Sequence, residues 1–121
     1  MGKSKIIMPL VLAPSLAPGP AAVACAHGAL AGYLAWQDDA IVREWLSSTF
    51  FKRVYQAPDA QTWATVMKWS ETMTLTESRL GNQPVIAVFN PMRWSNSNFF
   101  QNLPLYPANR IDFPRCQPDL A

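Results

Sequence analysis

Charge is scarce in this chain of 121 residues: Asp, Glu, Lys and Arg together make 15%, against about 25% in an average globular protein. So few charges leave little to cover the outside, which points to an oligomer or a covered face. The net charge of +2 is too small to mark a nucleic-acid binder or the partner of an acidic protein by itself. Histidine and cysteine are equally sparse. One His and two Cys cannot build a four-ligand structural zinc site from those residues alone, and no metal or other cofactor is expected. Cys25 and Cys116 are too far apart in sequence to give a disulfide framework, and read as free buried thiols of a cytoplasmic protein. No apolar run approaches the roughly 18 unbroken residues that a membrane span requires. No Gly-rich phosphate loop of Walker or dinucleotide type follows a strand, and no internal repeat is visible.

What the chain does have is apolar bulk. Half its residues are hydrophobic, enough to bury a core and to exclude disorder for most of the length. Residues 1–26 show the outline of a secretory signal: Lys3 and Lys5, an apolar run, then Ala22-Val23-Ala24. Pro9, Pro14, Pro18 and Pro20 interrupt what would be its helical segment. The run Lys5-Ile6-Ile7-Met8-Pro9-Leu10-Val11-Leu12 reads instead as a strand covered on both faces. A secreted protein with residues 1–26 removed is the weaker alternative.

A strand is predicted over 5–13, then a Pro/Gly loop over 14–20. Pro20 suits the first turn of a helix that runs to about Trp36. Val23, His27, Leu30 and Leu34 form a stripe on that helix, and Ala and Gly between them allow close packing. Asp38 and Asp39 can cap a second helix over 40–47. A second strand follows at 50–57, a third helix at 58–71, a strand at 72–79 that alternates, and an apolar last strand at 84–90. Long helical crossovers favour parallel pairing of the early strands, and the short turn at Gly81-Asn82 favours an antiparallel final pair. The expected fold is therefore a single α/β domain of three layers, with a mixed four-stranded sheet and helices on both faces. Residues 93–121 are rich in Pro and aromatics. They are expected to form a mostly extended extension, with a short helical turn near 96–102, that wraps over the domain of residues 1–92 or over a partner subunit.

The stretch Leu16-Ala17-Pro18-Gly19-Pro20-Ala21-Ala22-Val23-Ala24-Cys25-Ala26-His27-Gly28-Ala29, between the first strand and the body of its helix, resembles the opening of the peptidyl-tRNA hydrolases of the archaeal and eukaryotic type. The later order of elements, closing on Asn90-Pro91, is similar over about residues 4–92. The resemblance implies that family's α/β fold and cleavage of the ester between a peptide and the tRNA terminal ribose. Carried over by position, Gly19 and His27 match the family Gly and His, and Glu77 falls near the family Asp. Pro20 stands where the family has Lys, Ala24 where it has Gln, and Val85 where it has a Thr. A lysine's charge cannot be supplied by Pro. The resemblance thus implies a divergent member, a hydrolase of an ester or amide bond rather than a classical peptidyl-tRNA hydrolase.

Each candidate site residue has a functional and a structural reading. His27 is the sole imidazole and can serve as a general base, or can pack in the core beside Val23 and Leu30. Glu77 can be its acidic partner, or a solvated carboxylate at a strand end. Arg79 can bind a phosphate or carboxylate, or neutralise Glu77. Ser15 and Gly19 can contact a ligand at the helix N-terminus, where backbone N–H groups favour anions, or can simply shape the loop. Cys25 and His27 lie two apart on a helix and do not face each other, which excludes them as a nucleophile pair. Lys52, Arg53 and Tyr55 could touch a phosphate backbone, though a basic pair in a strand ordinarily marks solvent exposure. Trp36, Trp45, Trp63 and Trp69 read as core or interface anchors. Two functions follow. One is a cytoplasmic hydrolase with His27 and Glu77 as its catalytic pair and Ser15, Gly19 and Arg79 holding substrate. The other is a non-catalytic homodimer on the same scaffold, taking a partner, tRNA or a small anionic ligand, with no membrane contact.

Overall fold

A computed structural model describes residues 5–69, 72–76, 82–96 and 98–108. The chain forms β1 (Ile6–Leu12), α1 (Pro18–Trp36), α2 (Ala40–Ser47), β2 (Phe51–Gln56), α3 (Ala60–Met67), β3 (Thr72–Thr76), β4 (Pro84–Phe89) and β5 (Met92–Arg93), then 3-10 helices at Trp94–Asn96 and Asn98–Asn102. The sheet runs β2-β1-β4-β3, and the two-residue β5 also pairs with β1. β1 and β2 are parallel, and β1–β4 and β3–β4 are antiparallel. This is the mixed α/β sheet that the crossover lengths predict, with one short strand more than expected.

All seven residues of β1 are buried, because the strand sits inside the sheet with chain on both faces. Its Ile6, Met8, Leu10 and Leu12 join Ala21, Ala24, Val42, Trp45, Ile86 and Val88 in one core under α1 and α2. Val11, on the opposite face, joins Tyr55, Trp63, Val66, Ala87, Phe89 and Phe100 in a second core under α3 and the second 3-10 helix.

Pro9 in an interior strand needs an account, since it cannot donate to the ladder. The Leu12 carbonyl accepts from Ala57 N–H, while Ala13 N–H donates to the Val85 carbonyl. Even-numbered residues of β1 therefore address β2, and odd-numbered ones address β4 and β5. On that second side Leu10 is opposite Val88 and Ile7 is opposite Met92, so the register slips by one residue between β4 and β5. The missing N–H of Pro9 falls at that slip, where Asn90-Pro91 leaves the ladder, and no donor is wasted.

α1 faces the sheet with its smallest residues: Ala21, Ala24, Gly28 and Gly32 are its buried positions. A Cβ on Gly28 would lie 2.9 Å from Val88 Cγ2 and 3.0 Å from Ile86 Cδ1; one on Gly32 would lie 2.9 Å from Val88 Cγ1. The helix axis consequently lies very close to β1 and β4. The stripe Val23, Leu30 and Leu34 points outward and is about half exposed, at 47%, 61% and 55%. His27 is exposed with it. The expectation that His27 packs in the core is corrected here: a stripe of small side chains wins the sheet because it permits closer approach than the larger stripe could.

The chain after β5 returns to the free edge of β2. Gln56 N–H donates to the Pro104 carbonyl, Tyr106 N–H donates to the Val54 carbonyl, and Tyr55 and Leu105 form an antiparallel bridge. The buried Gln56 amide clasps both ends of the arrangement, donating to the Ala13 carbonyl (3.1 Å) and accepting from Ala108 N–H (2.7 Å). Aromatic contacts hold the 3-10 helix above: Tyr55 stacks on Phe100 at 5.4 Å, Phe100 meets Phe89 edge-on at 4.8 Å, and Phe99 meets Trp69 at 4.3 Å. Arg93 pairs with both oxygens of Glu44 (2.8 Å) and ties β5 to α2.

Three outcomes follow for stability. Gly28→Ala should lose about 1–3 kcal/mol in urea unfolding through overpacking, despite a helix-propensity gain of about 1 kcal/mol. Gly19→Ala, where nothing beyond the two flanking prolines lies within 4 Å of the new Cβ, should change stability by no more than about 1 kcal/mol, since the entropy gain is opposed by the Pro20 ring crowding a helical Cβ before it. Gln56→Leu should strand the part-buried Ala13 carbonyl and Ala108 N–H, costing about 1–3 kcal/mol in all, because water can reach part of what is left unpaired. Limited proteolysis should then cut near residues 103–108 faster than in the wild type.

Candidate functional site

The loop between β1 and α1 and the first turn of that helix hold two of the sequence-predicted residues. Ser15 takes a left-handed backbone conformation, φ 64°, and Gly19 is the second residue of α1, with open space around it. Tyr106 Oη donates to the Leu16 carbonyl (2.9 Å) and fixes the loop from the far side. Anion binding at a helix N-terminus needs free N–H groups. Pro18 and Pro20 remove two of them, and Ala21 N–H is already bonded to the Ala17 carbonyl. Only the N–H groups of Ala17 and Gly19 remain in that turn, with no side-chain cap.

His27 does not share this loop. It stands eight residues beyond Gly19, about 12 Å along the helix axis, on the exposed face of α1. No described residue makes a hydrogen bond or ion pair with it. Glu77 and Arg79 lie outside the described residues. Cys25 carries a free, half-buried thiol, and burial pushes its pKa up, which disfavours the thiolate that a nucleophile needs. Cys116 lies outside the described residues. Among the described residues no three His, Cys, Asp or Glu side chains gather as metal ligands, and no helix is long and apolar enough to cross a membrane.

The concavity beside the outward face of α1 is apolar. A groove of about 370 Å³ runs between α1 and α2, lined by Ala26, Ala29, Leu30, Tyr33, Leu46 and Phe50, with Trp45 at its floor and Lys52 at its rim. Phe50 is placed by backbone strain: its φ of 54° is a conformation that a bulky residue ordinarily avoids. A reciprocal clasp holds it there. Phe50 N–H donates to the Trp45 carbonyl (2.8 Å), and Trp45 Nε1–H donates to the Phe51 carbonyl (2.7 Å). The ring lies 4.9 Å from that of Trp45 and carries the Lys52 ammonium 3.0 Å over its centre. Partial burial lowers the Lys52 pKa. Strand alternation sends Arg53 and Tyr55 to the other sheet face, so the basic pair of β2 serves two separate surfaces.

Sequence reasoning missed this groove. Phe50 carries no turn signal, since residues that favour positive φ are Gly, Asn and Asp. The apolar spacing of Leu30 and Leu34 was visible, but not the direction in which it points.

The backbone at Phe50 predicts an order of stabilities. Phe50→Asn should stay within about 1 kcal/mol of the wild type, because relief of strain offsets the lost ring contact. Phe50→Val should be worse than Phe50→Asn by about 1–2 kcal/mol, since a β-branched residue resists φ > 0. Urea unfolding of the two variants checks the order. In comparisons with known proteins, the chain matches no family model and no curated sequence.

Proposed function

We propose that this chain is a non-catalytic homodimeric binding protein of the cytoplasm, built on a divergent scaffold like that of the archaeal and eukaryotic peptidyl-tRNA hydrolases, and that it dimerises through the outward face of α1. The observation that carries this reading is the chemistry of α1. Its 19 residues, Pro18–Trp36, include no Asp, Glu, Lys or Arg, yet Val23, Leu30 and Leu34 are half-exposed along one side. A helix that faces water ordinarily presents a charged or polar side to it. Single exposed apolar residues are normal, but a stripe free of Asp, Glu, Lys and Arg, in which Val23, Leu30 and Leu34 flank His27 beside an apolar groove, marks an interaction surface. A two-fold axis through the stripe would set it against its own copy, because such an interface is self-complementary. α1 is about 28 Å long, and Leu46 and Phe50 widen the face toward α2.

The hydrolytic alternative asks His27 to act as a general base with Glu77. A general base needs a partner or substrate proton within hydrogen-bond reach and a site that gathers polar groups. His27 lines neither the loop that holds Ser15 and Gly19 nor the apolar groove. These observations favour binding over turnover.

Sedimentation equilibrium tests the reading. The wild type should have twice the chain mass at about 10–100 μM, as expected for a dimer with a micromolar or tighter Kd. Leu30→Glu combined with Leu34→Glu should be monomeric with an unchanged far-ultraviolet circular dichroism spectrum, because both side chains already face out. A wild type that sediments as a monomer at about 100 μM, or turnover of labelled peptidyl-tRNA that His27→Ala abolishes, would overturn it.

A further inference from the structure

The sheet face away from α1 holds a polar pair that nothing so far explains. β2 places Arg53 and Tyr55 side by side on that face. A cavity of about 190 Å³ opens over them, closed by Trp94, Phe100, Gln101, Leu103 and Leu105. Tyr55 is 2% exposed, and its phenol makes no hydrogen bond of full geometry, the Arg53 guanidinium lying beside its oxygen. Buried polar groups in folded proteins are nearly always paired, so an orphan phenol calls for a reason. Burial raises the Tyr55 pKa, and the neighbouring Arg53 partly offsets this; the phenol therefore keeps its proton near neutral pH and is available as a donor. The Arg53 guanidinium stacks over the Trp94 ring, 4.8 Å from its centroid, and meets no carboxylate among the described residues.

We propose that this cavity is a binding site for a small organic carboxylate with a short apolar tail, its charge on Arg53, one oxygen on the Tyr55 hydroxyl and its tail against Leu103 and Leu105. A planar guanidinium and one adjacent O–H donor match the two oxygens of a carboxylate. A phosphate dianion would bring further oxygens against Trp94, Phe100 and the two leucines, where they would go unpaired. The volume falls below the usual range for drug-sized ligands, about 300–1,000 Å³, and suits a molecule of a few heavy atoms. Phe100 is held by its ring contacts and the chain around Leu105 by its hydrogen bonds to β2, while the Tyr55 hydroxyl oxygen is covered in the free protein, so a ligand reaches it by displacing a side chain of the wall. The site faces away from α1, so it stands or falls independently of the dimer.

The test is a ¹H–¹⁵N NMR titration of the full chain with sodium butyrate, with neutral butanamide and inorganic phosphate as comparisons. Butyrate should give saturating shifts at the Arg53 Nε–H, the Trp94 indole N–H and the Leu105 amide, with a Kd of about 1 mM or tighter. Butanamide and phosphate should bind about tenfold more weakly or not at all. Arg53→Gln should abolish binding. Tyr55→Phe should weaken it about fivefold or more while melting no lower than the wild type, because the hydroxyl it removes makes no hydrogen bond of full geometry in the free protein. Equal affinity for butyrate and butanamide, tighter binding of phosphate, full butyrate affinity in Tyr55→Phe, or a Tyr55→Phe melting point several degrees below the wild type would each overturn the proposal.

Discussion

The closeness of α1 to the sheet governs the rest of this structure. Gly28 and Gly32 let the helix backbone approach Val88, Ile86 and Met8 until a single extra carbon would clash. Dispersion contacts accumulate at that distance, but a helix so near the sheet has no room beneath it for Val23, Leu30 or Leu34. The larger side chains are turned outward, and the chain exposes apolar surface on a helix without charge. The surface proposed for self-association and the tight inner contact are two sides of one packing choice.

The interior strand shows the same economy. β1 carries a proline, which would ordinarily argue against a central position, yet the one-residue slip between β4 and β5 places the missing donor where the ladder is already interrupted. Asn90-Pro91 at the slip and Pro9 opposite it are then mutually compatible irregularities. The ion pair of Arg93 with Glu44 and the bond from Trp94 N–H to the Lys5 carbonyl resume the attachment immediately beyond.

Much of the architecture was legible from residue patterns. The unbroken apolar run of β1, the apolar spacing of α2 over Ala40–Ser47, and the apolar β4 all state their type plainly, and the crossover lengths give the parallel and antiparallel pairs; the expected Asp cap of α2 is not made, since Asp39 stands at the N-cap but its carboxylate accepts from Asn90. The orientation of α1 was not legible, because hydrophobic periodicity assumes that larger apolar side chains seek the core. Here Ala21, Ala24, Gly28 and Gly32 win by size rather than by hydrophobicity. Of the site residues, Ser15 lies in the loop as expected, whereas Gly19 falls inside the first turn of α1, which opens at Pro18 and not at Pro20; the two prolines leave that helix end short of donors. His27 falls on a different surface, and Glu77 and Arg79 lie outside the described residues. Arg53 and Tyr55 share a face by simple strand alternation; that this face is roofed by Trp94, Phe100 and Leu105 depends on contacts some 40 to 50 positions distant in sequence, which no local pattern records.

The lateral margin of β2 is occupied by the chain around Leu105, held through Pro104, Tyr106 and the Gln56 amide. An unpaired strand margin is a template on which foreign strands can add, and the usual route to fibrous assembly. With Val54, Tyr55 and Gln56 paired by the chain's own backbone, that half of the margin offers other copies no ladder to extend. A chain this poor in charge can thus leave apolar surface open on its helices while the end of β2 is withdrawn from such pairing.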